Sequence, residues 1–203
     1  ARGLVGDRDR GRAVSAALFT DLYELTMAEA YLAEEMHGEA AFELFFRRLP
    51  PQRNYAIAAG LEPALEHLET LRFSPEDLDY LRGLGRFGDR LLERLERFRF
   101  SGEVWAVPEG TAIFGNEPIL RVVAPILEAQ IVETWLLSRI HVDTLIATKA
   151  ARIVDAAAGR PVVDFGARRA HGIDAALSLA RSSYLAGAAG TSLVEAGRRW
   201  GIP

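Results

Sequence analysis

The residues best suited to chemistry stand together in Val163-Asp164-Phe165-Gly166-Ala167-Arg168-Arg169-Ala170-His171-Gly172. An apolar run ends at Phe165, the chain turns at Gly166, and two guanidinium groups follow. Arg168 and Arg169 suit a phosphate or a carboxylate, because a guanidinium donates paired hydrogen bonds and does not lose its proton. If the run is a strand of an α/β barrel, the arginines fall at its C-terminal end, where such folds place their ligands. Taken alone, a solvated surface pair in an Arg-rich protein is the stronger reading. His171 alone reads as a surface or helix-entry histidine. A second stretch, Thr20-Asp21-Leu22-Tyr23-Glu24-Leu25-Thr26-Met27, puts Tyr23 one turn into a helix whose N-terminus attracts anions. Its ring could stack on a flat heterocycle, although periodicity alone favours a partly buried core tyrosine.

Other apparent signals weaken on inspection. Gly83-Leu84-Gly85-Arg86-Phe87-Gly88 lacks the spacing and the preceding strand of a dinucleotide fingerprint, and reads as an interhelix turn. His37, His67, His141 and His171 show no metal-ligand spacing, and Ser182-Ser183 has no nucleophile-elbow context.

The elements that must position these residues follow from pattern. Residues 1–16 carry three Gly and four Arg without apolar period and read as a flexible tail, not a signal peptide. Thr20 is expected to cap a helix over 21–35 that Gly38 ends. Residues 39–47 alternate as a strand, and 56–71 carry leucines at helical spacing. Ser74-Pro75-Glu76-Asp77 is a helix start, and a further helix covers 89–99 with Leu91, Leu92, Leu95 and Phe98 inward. Short strands follow at 103–107, 112–114 and 119–124. Pro125 opens a helical stretch to about residue 158, read as two helices meeting near 140–143. A strand at 161–165, a helix over 173–188 and a capping box in Ser192-Leu193-Val194-Glu195 complete a helix–strand–helix order that reads as α/β with parallel strands.

Composition narrows the function classes. Of 203 residues, 49% are hydrophobic and 26% charged, the mix of a soluble globular protein. There are 24 basic and 28 acidic residues, a net charge of −4, which argues against general affinity for nucleic acid or acidic membranes. No apolar run is long enough to span a bilayer. Cysteine is absent, excluding disulfides, thiolate metal sites and cysteine nucleophiles, and fitting a cytoplasmic location.

Together, TDLYELTMAEAY (20–31), FELFFRRLP (42–50), RNYAIAAGLE (53–62), VWAVPEGTAIFGNEPILRV (104–122) and VDFGARRAHG (163–172) closely resemble nicotinate phosphoribosyltransferase, in order and in spacing, over roughly 18–203. The resemblance implies an α/β protein: an α+β N-terminal domain (17–124) followed by the first part of an irregular type II phosphoribosyltransferase α/β barrel (125–203). It implies nicotinate mononucleotide and diphosphate made from nicotinate and 5-phosphoribosyl 1-diphosphate, with ATP as co-substrate and Mg²⁺ as cofactor. It further implies a homodimer with shared active sites. Tyr23 and Phe165 then look like the aromatic pair that sandwiches the pyridine ring, with Tyr23 from the neighbouring subunit. Arg168 resembles the arginine beside ring and phosphoribosyl group. Arg47 stands where relatives face the diphosphate, with Arg48 as its competitor, and Asp21 and Arg169 are weaker candidates. The histidine that ATP phosphorylates, and the phosphate-binding glycine loops, are expected beyond Pro203, so the 203 residues alone are expected to be inactive. The rivals are a catalytically inactive fragment that dimerises or binds a homologue, and a nicotinamide or quinolinate phosphoribosyltransferase relative. The nicotinamide enzyme is disfavoured by the paired arginines.

Overall fold

The computed structural model describes residues 15–203, so the tail expected over 1–16 lies, up to residue 14, outside the described residues. Helix α1 spans Leu22–Ala33, with Asp21 rather than Thr20 in the cap position. The Thr20 hydroxyl is diverted to the Glu24 carboxylate. The helix also stops before Gly38, because Glu35 takes a left-handed φ of 54° and the Met36 N–H reaches back 2.8 Å to the Tyr31 carbonyl.

Three strands form an antiparallel sheet with β5 (Leu120–Pro125) in the centre. β1 (Glu39–Leu44) flanks it in the register Leu44 to Leu120, and β3 (Glu103–Ala106) flanks it in the register Ala106 to Leu120. Leu120, Val122 and Ala124 are buried on one face of β5. The chain runs from β5 into α5 (Ile126–Ile131), which packs on both β5 and α1.

The helix expected over 56–71 begins only at Leu61. Ala56–Ile57 is a short strand, β2, paired antiparallel with β4 (Ala112–Ile113), and α2 runs Leu61–Thr70. Gly60 between them has φ 99°, through which a right-handed helix cannot pass. The Glu109 carboxylate accepts the N–H groups of both Gly60 and Leu61, so the start of α2 is capped from a distant turn. α3 (Pro75–Gly83) carries the full capping box, with Asp77 N–H donating to Ser74 Oγ and Ser74 N–H to Asp77 Oδ2. α4 (Asp89–Glu96) buries Leu91, Leu92 and Leu95, with Phe98 just after it.

The long helical stretch does divide in two, but at Val132, where α5 gives way to α6 (Glu133–Ala156). No break occurs at 140–143, because the buried polar groups of Asp143 and the adjoining Thr144 find partners without leaving the helix. Arg139 Nε donates to Asp143 Oδ2 at 2.8 Å, and the Thr144 hydroxyl donates to the Ala59 carbonyl at 3.2 Å. Thr148 accepts from Ile57 N–H, tying α6 along the β2 edge.

The last third is one βαβ unit, as its pattern predicts. β6 (Val163–Asp164) pairs parallel with β7 (Gly190–Thr191), and α7 (Ile173–Leu185) connects them, packing on α6. α8 (Val194–Trp200) follows without the expected capping box: Leu193 is its N-cap and makes no side-chain cap. Glu195 instead takes hydrogen bonds from Arg198 and Arg199. The main core gathers α1 to α5, β5 and the first half of α6, and a small second core joins Leu177, Ala180, Ala196 and Ile202.

Candidate active site

Phe165 leaves the C-terminal end of β6 and is 63% exposed, high for an aromatic ring. A single 3-10 turn, Ala167–Arg169, follows, closed by the Arg169 N–H on the Gly166 carbonyl at 2.9 Å. Arg168 and Arg169 are exposed, and no hydrogen bond or ion pair holds either side chain among the described residues. An unsatisfied guanidinium pair beside an exposed ring can take an anionic, flat ligand: the ring stacks, and the forks bind phosphate or carboxylate. His171 is exposed on the same loop. No group of three or more His, Asp or Glu side chains among the described residues could hold a metal.

Tyr23 occupies the first turn of α1, 46% exposed. Its surroundings are acidic. Glu24 is fully buried and accepts from Thr134 N–H at 2.9 Å and the Thr134 hydroxyl at 2.6 Å. Asp21 accepts from the same hydroxyl at 3.0 Å. These bonds fix the start of α1 against the start of α6, and so fix where Tyr23 emerges. Desolvation first, then the adjacent Glu133 carboxylate, holds the Tyr23 phenol above its ordinary range, so the hydroxyl stays neutral. Burial likewise pushes the Glu24 carboxyl up, against the hydrogen bonds of Thr134 and Thr20.

Arg47 and Arg48 follow β1 as exposed residues on a connection where the Phe46 carbonyl accepts the Asn116 N–H at 2.8 Å. Chain continuity therefore joins Phe165, Arg168 and Arg169 on one turn and Asp21 with Tyr23 on another. No hydrogen bond or ion pair among the described residues links these groups or Arg47 to one another. α1 packs on α4 and α5, whereas β6 and the 3-10 turn pack on α7. An apolar cavity of about 100 Å³ between sheet and α6 is lined by none of the candidates.

The supporting residues were not legible beforehand. Thr134 and Thr191 stand outside the quoted stretches, and although Glu24 and Asp164 stand within them, these partners lie far along the chain. Arg181 is buried in the second half of α7 and bonds bidentately to Glu109, at 3.0 and 2.7 Å, while also pairing with Glu62. Burial pushes the Glu109 carboxyl up, but Arg181 and the Gly60 and Leu61 amides outweigh it and hold it below its usual value. The only hint was a Pro-Glu-Gly turn that placed an acidic residue at a loop tip.

Comparison with known proteins bears on what this arrangement belongs to. Residues 18–141 match the nicotinate phosphoribosyltransferase N-terminal domain. A nicotinate phosphoribosyltransferase of Mycobacterium tuberculosis, pncB2, is 63% identical over 187 residues, which are 92% of this chain and 40% of the relative. One from Bacillus subtilis is 46% identical over 190 residues, 93% of this chain and 39% of the relative. The crystal structure of human nicotinic acid phosphoribosyltransferase matches at a TM-score of 0.82 with 37% identity, over 91% of this chain and 38% of that one. A nicotinate-nucleotide pyrophosphorylase from Pyrococcus furiosus, at a TM-score of 0.74 and 24% identity over 100% of this chain and 43% of that one, shares the fold. The chain thus spans about two fifths of the length of the curated relatives it matches. With residues 18–141, more than half of the chain, matching the N-terminal domain and a mixed α/β fold superposable on the human enzyme, this chain belongs to the nicotinate phosphoribosyltransferase family.

Proposed function

We propose that this chain is the N-terminal part of an enzyme that makes nicotinate mononucleotide and diphosphate from nicotinate and 5-phosphoribosyl 1-diphosphate. ATP hydrolysis is coupled to the reaction, which serves NAD salvage in the cytoplasm. The observation that carries this reading is the exposed Phe165 ring beside the unpaired Arg168 and Arg169, on the turn after a parallel strand, in a chain of this family. In the reaction the nicotinate ring nitrogen attacks the anomeric carbon of the ribose and the bond to diphosphate breaks. Positive charge develops on the sugar and negative charge on the leaving group. Phe165 offers one face of the slot for the ring, and Tyr23 of a second subunit supplies the other face in a homodimer with shared sites. Arg168 donates to the carboxylate or the phosphoribosyl group, and Arg169 supports it. Arg47 faces the diphosphate. Asp21 orders the turn that carries Tyr23. Holding the ring and sugar in line removes orientational freedom from the barrier, and fixed cations stabilise the departing charge.

Mg²⁺ belongs to this proposal as an ion carried on the diphosphate. The described residues include no acidic or histidine cluster fitted to hold it, so no step is assigned to it here. Completion of 125–203 into an irregular α/β barrel, with 17–124 as the N-terminal domain, is part of the same reading. So is the inactivity of the 203 residues by themselves. No helix among the described residues is long and apolar enough to cross a membrane.

The test is an assay of the full-length protein with 5-phosphoribosyl 1-diphosphate and, in turn, nicotinate, nicotinamide and quinolinate. ATP-stimulated nicotinate mononucleotide formation from nicotinate is the expected result. Turnover of nicotinamide or quinolinate alone would reject the reading, and turnover of nicotinate by the 203 residues would reject the claim of their inactivity.

A further inference from the structure

Phe165 and Arg168 have no side-chain anchors among the described residues, so their direction is set by the backbone of the turn that carries them. The one side chain that hydrogen-bonds that backbone among the described residues is the Asp164 carboxylate. Asp164 Oδ1 accepts the Gly166 N–H at 2.8 Å, which closes the turn around Phe165. Asp164 Oδ2 accepts the Thr191 hydroxyl at 2.8 Å, which ties the end of β6 to β7. The Asp164 carbonyl also accepts the Ser192 N–H at 2.8 Å, and the Thr191 hydroxyl oxygen accepts the Leu193 N–H at 3.2 Å. The other side of the turn is closed by packing. A Cβ on Gly166 would stand 2.8 Å from Leu179 Cδ2 and 3.1 Å from Asp164 Oδ1, so α7 and the carboxylate press on the same glycine. Asp164 makes no ion pair with either arginine, so its charge is turned toward the backbone and leaves both guanidinium groups to a ligand.

We propose that Asp164, through its paired bonds to Gly166 and Thr191, is a positioning residue that aims Phe165 and Arg168 into the nicotinate and phosphoribosyl site. This rests on the proposed function. A carboxylate is required because two donors must be met at once. An asparagine has one accepting oxygen and would turn an N–H₂ toward either the Gly166 amide or the Thr191 hydroxyl.

The experiment uses the full-length protein and three variants: Asp164→Asn, Thr191→Val and Thr191→Ser. Asp164→Asn and Thr191→Val are expected to lower kcat/KM for nicotinate roughly tenfold, the scale of one lost bond in a preorganised site, while KM for ATP stays unchanged. Thr191→Ser keeps the hydroxyl and is expected to restore wild-type behaviour. Titration calorimetry with nicotinate mononucleotide, which fills the ring and phosphoribosyl positions and needs no turnover, is expected to show the same order of weakening. Wild-type nicotinate kinetics in folded Asp164→Asn and Thr191→Val would overturn the inference. So would a parallel loss of nicotinate and ATP kinetics that tracks a lowered unfolding midpoint, which marks a merely structural role. If the wild type binds nicotinate mononucleotide but forms none from nicotinate and 5-phosphoribosyl 1-diphosphate, the functional reading falls, and the calorimetric order of the variants decides the positioning claim by itself.

Discussion

Arg168 projects from a short 3-10 turn into solvent with no partner among the described residues, which under the proposed function leaves its guanidinium to the substrate. Arg168→Lys in the full-length enzyme keeps the charge and removes the fork. Losing a charge-assisted hydrogen bond costs about 1.5–3 kcal/mol, so kcat/KM should fall roughly 10- to 150-fold with the unfolding midpoint unchanged. Near-normal kinetics in the folded variant would remove this arginine from the site. His67 shows the opposite case, a titratable group with a structural part. It is buried, stacked on Trp135 with ring centroids 3.8 Å apart, and desolvation lowers its pKa to about 4. The unfolded chain binds this proton from about pH 6.5 downward and the folded chain does not until about pH 4. Its share of stability is therefore complete above pH 6.5 and lost as the pH falls toward 4, up to about 3 kcal/mol. Denaturant midpoints from pH 7 to 4 should fall more steeply for the wild type than for His67→Phe, and parallel curves would contradict this. The sequence showed His67 as one scattered histidine; its stacking partner is set by the meeting of α2 and α6, which no local pattern encodes.

Element by element, legibility followed the range of the interactions. The α3 capping box, the inward face of α4 and the parallel pairing around α7 rest on neighbours in the chain or on strong periodicity, and they stand where the pattern put them. Some expectations fail where a distant group intervenes, as Glu109 starts α2 at Leu61. Others fail where a nearby side chain competes, as Glu24 takes the Thr20 hydroxyl and Arg198 and Arg199 take the Glu195 carboxylate. α6 also runs unbroken through 140–143, which the pattern reads as the junction of two helices, with Asp143 bonded to Arg139 and Thr144 to the Ala59 carbonyl. At Gly102 the chain entering β3 runs so close to β5 that a Cβ would stand 2.4 Å from Ala124 Cβ and 2.5 Å from the Val123 carbonyl oxygen. Gly102→Ala must therefore move backbone, and overpacking of this kind costs typically about 1–3 kcal/mol. The unfolding midpoint should drop accordingly, and an unchanged midpoint would mean that β3 can shift freely.

At the scale of the whole molecule, one long helix and one ion network join the main core to the βαβ unit. α6 contributes its first half to the main core and also packs on α7. Arg181 carries the second connection, from α7 to the turn at Glu109 and the start of α2. This arrangement leaves Tyr23 and the Phe165 turn on separate supports within one chain. The pattern is legible as two motifs, and the resemblance already assigns them to different subunits; what it does not encode is that α1 packs on α4 and α5 while β6 packs on α7. Under the proposed function, the ring slot is completed by a second copy.

Subunit complementation tests that claim most directly. Full-length Tyr23→Ala and Arg168→Ala proteins are each assayed at nicotinate below the wild-type KM, then unfolded together, refolded as a mixture and assayed again. Random pairing makes half of the dimers mixed, and each mixed dimer holds one site with both wild-type residues, so activity should recover to about a quarter of wild type. A mixture no more active than the two variants assayed apart, with mixed dimers shown to have formed, would contradict a nicotinate site built from Tyr23 of one subunit and Arg168 of the other.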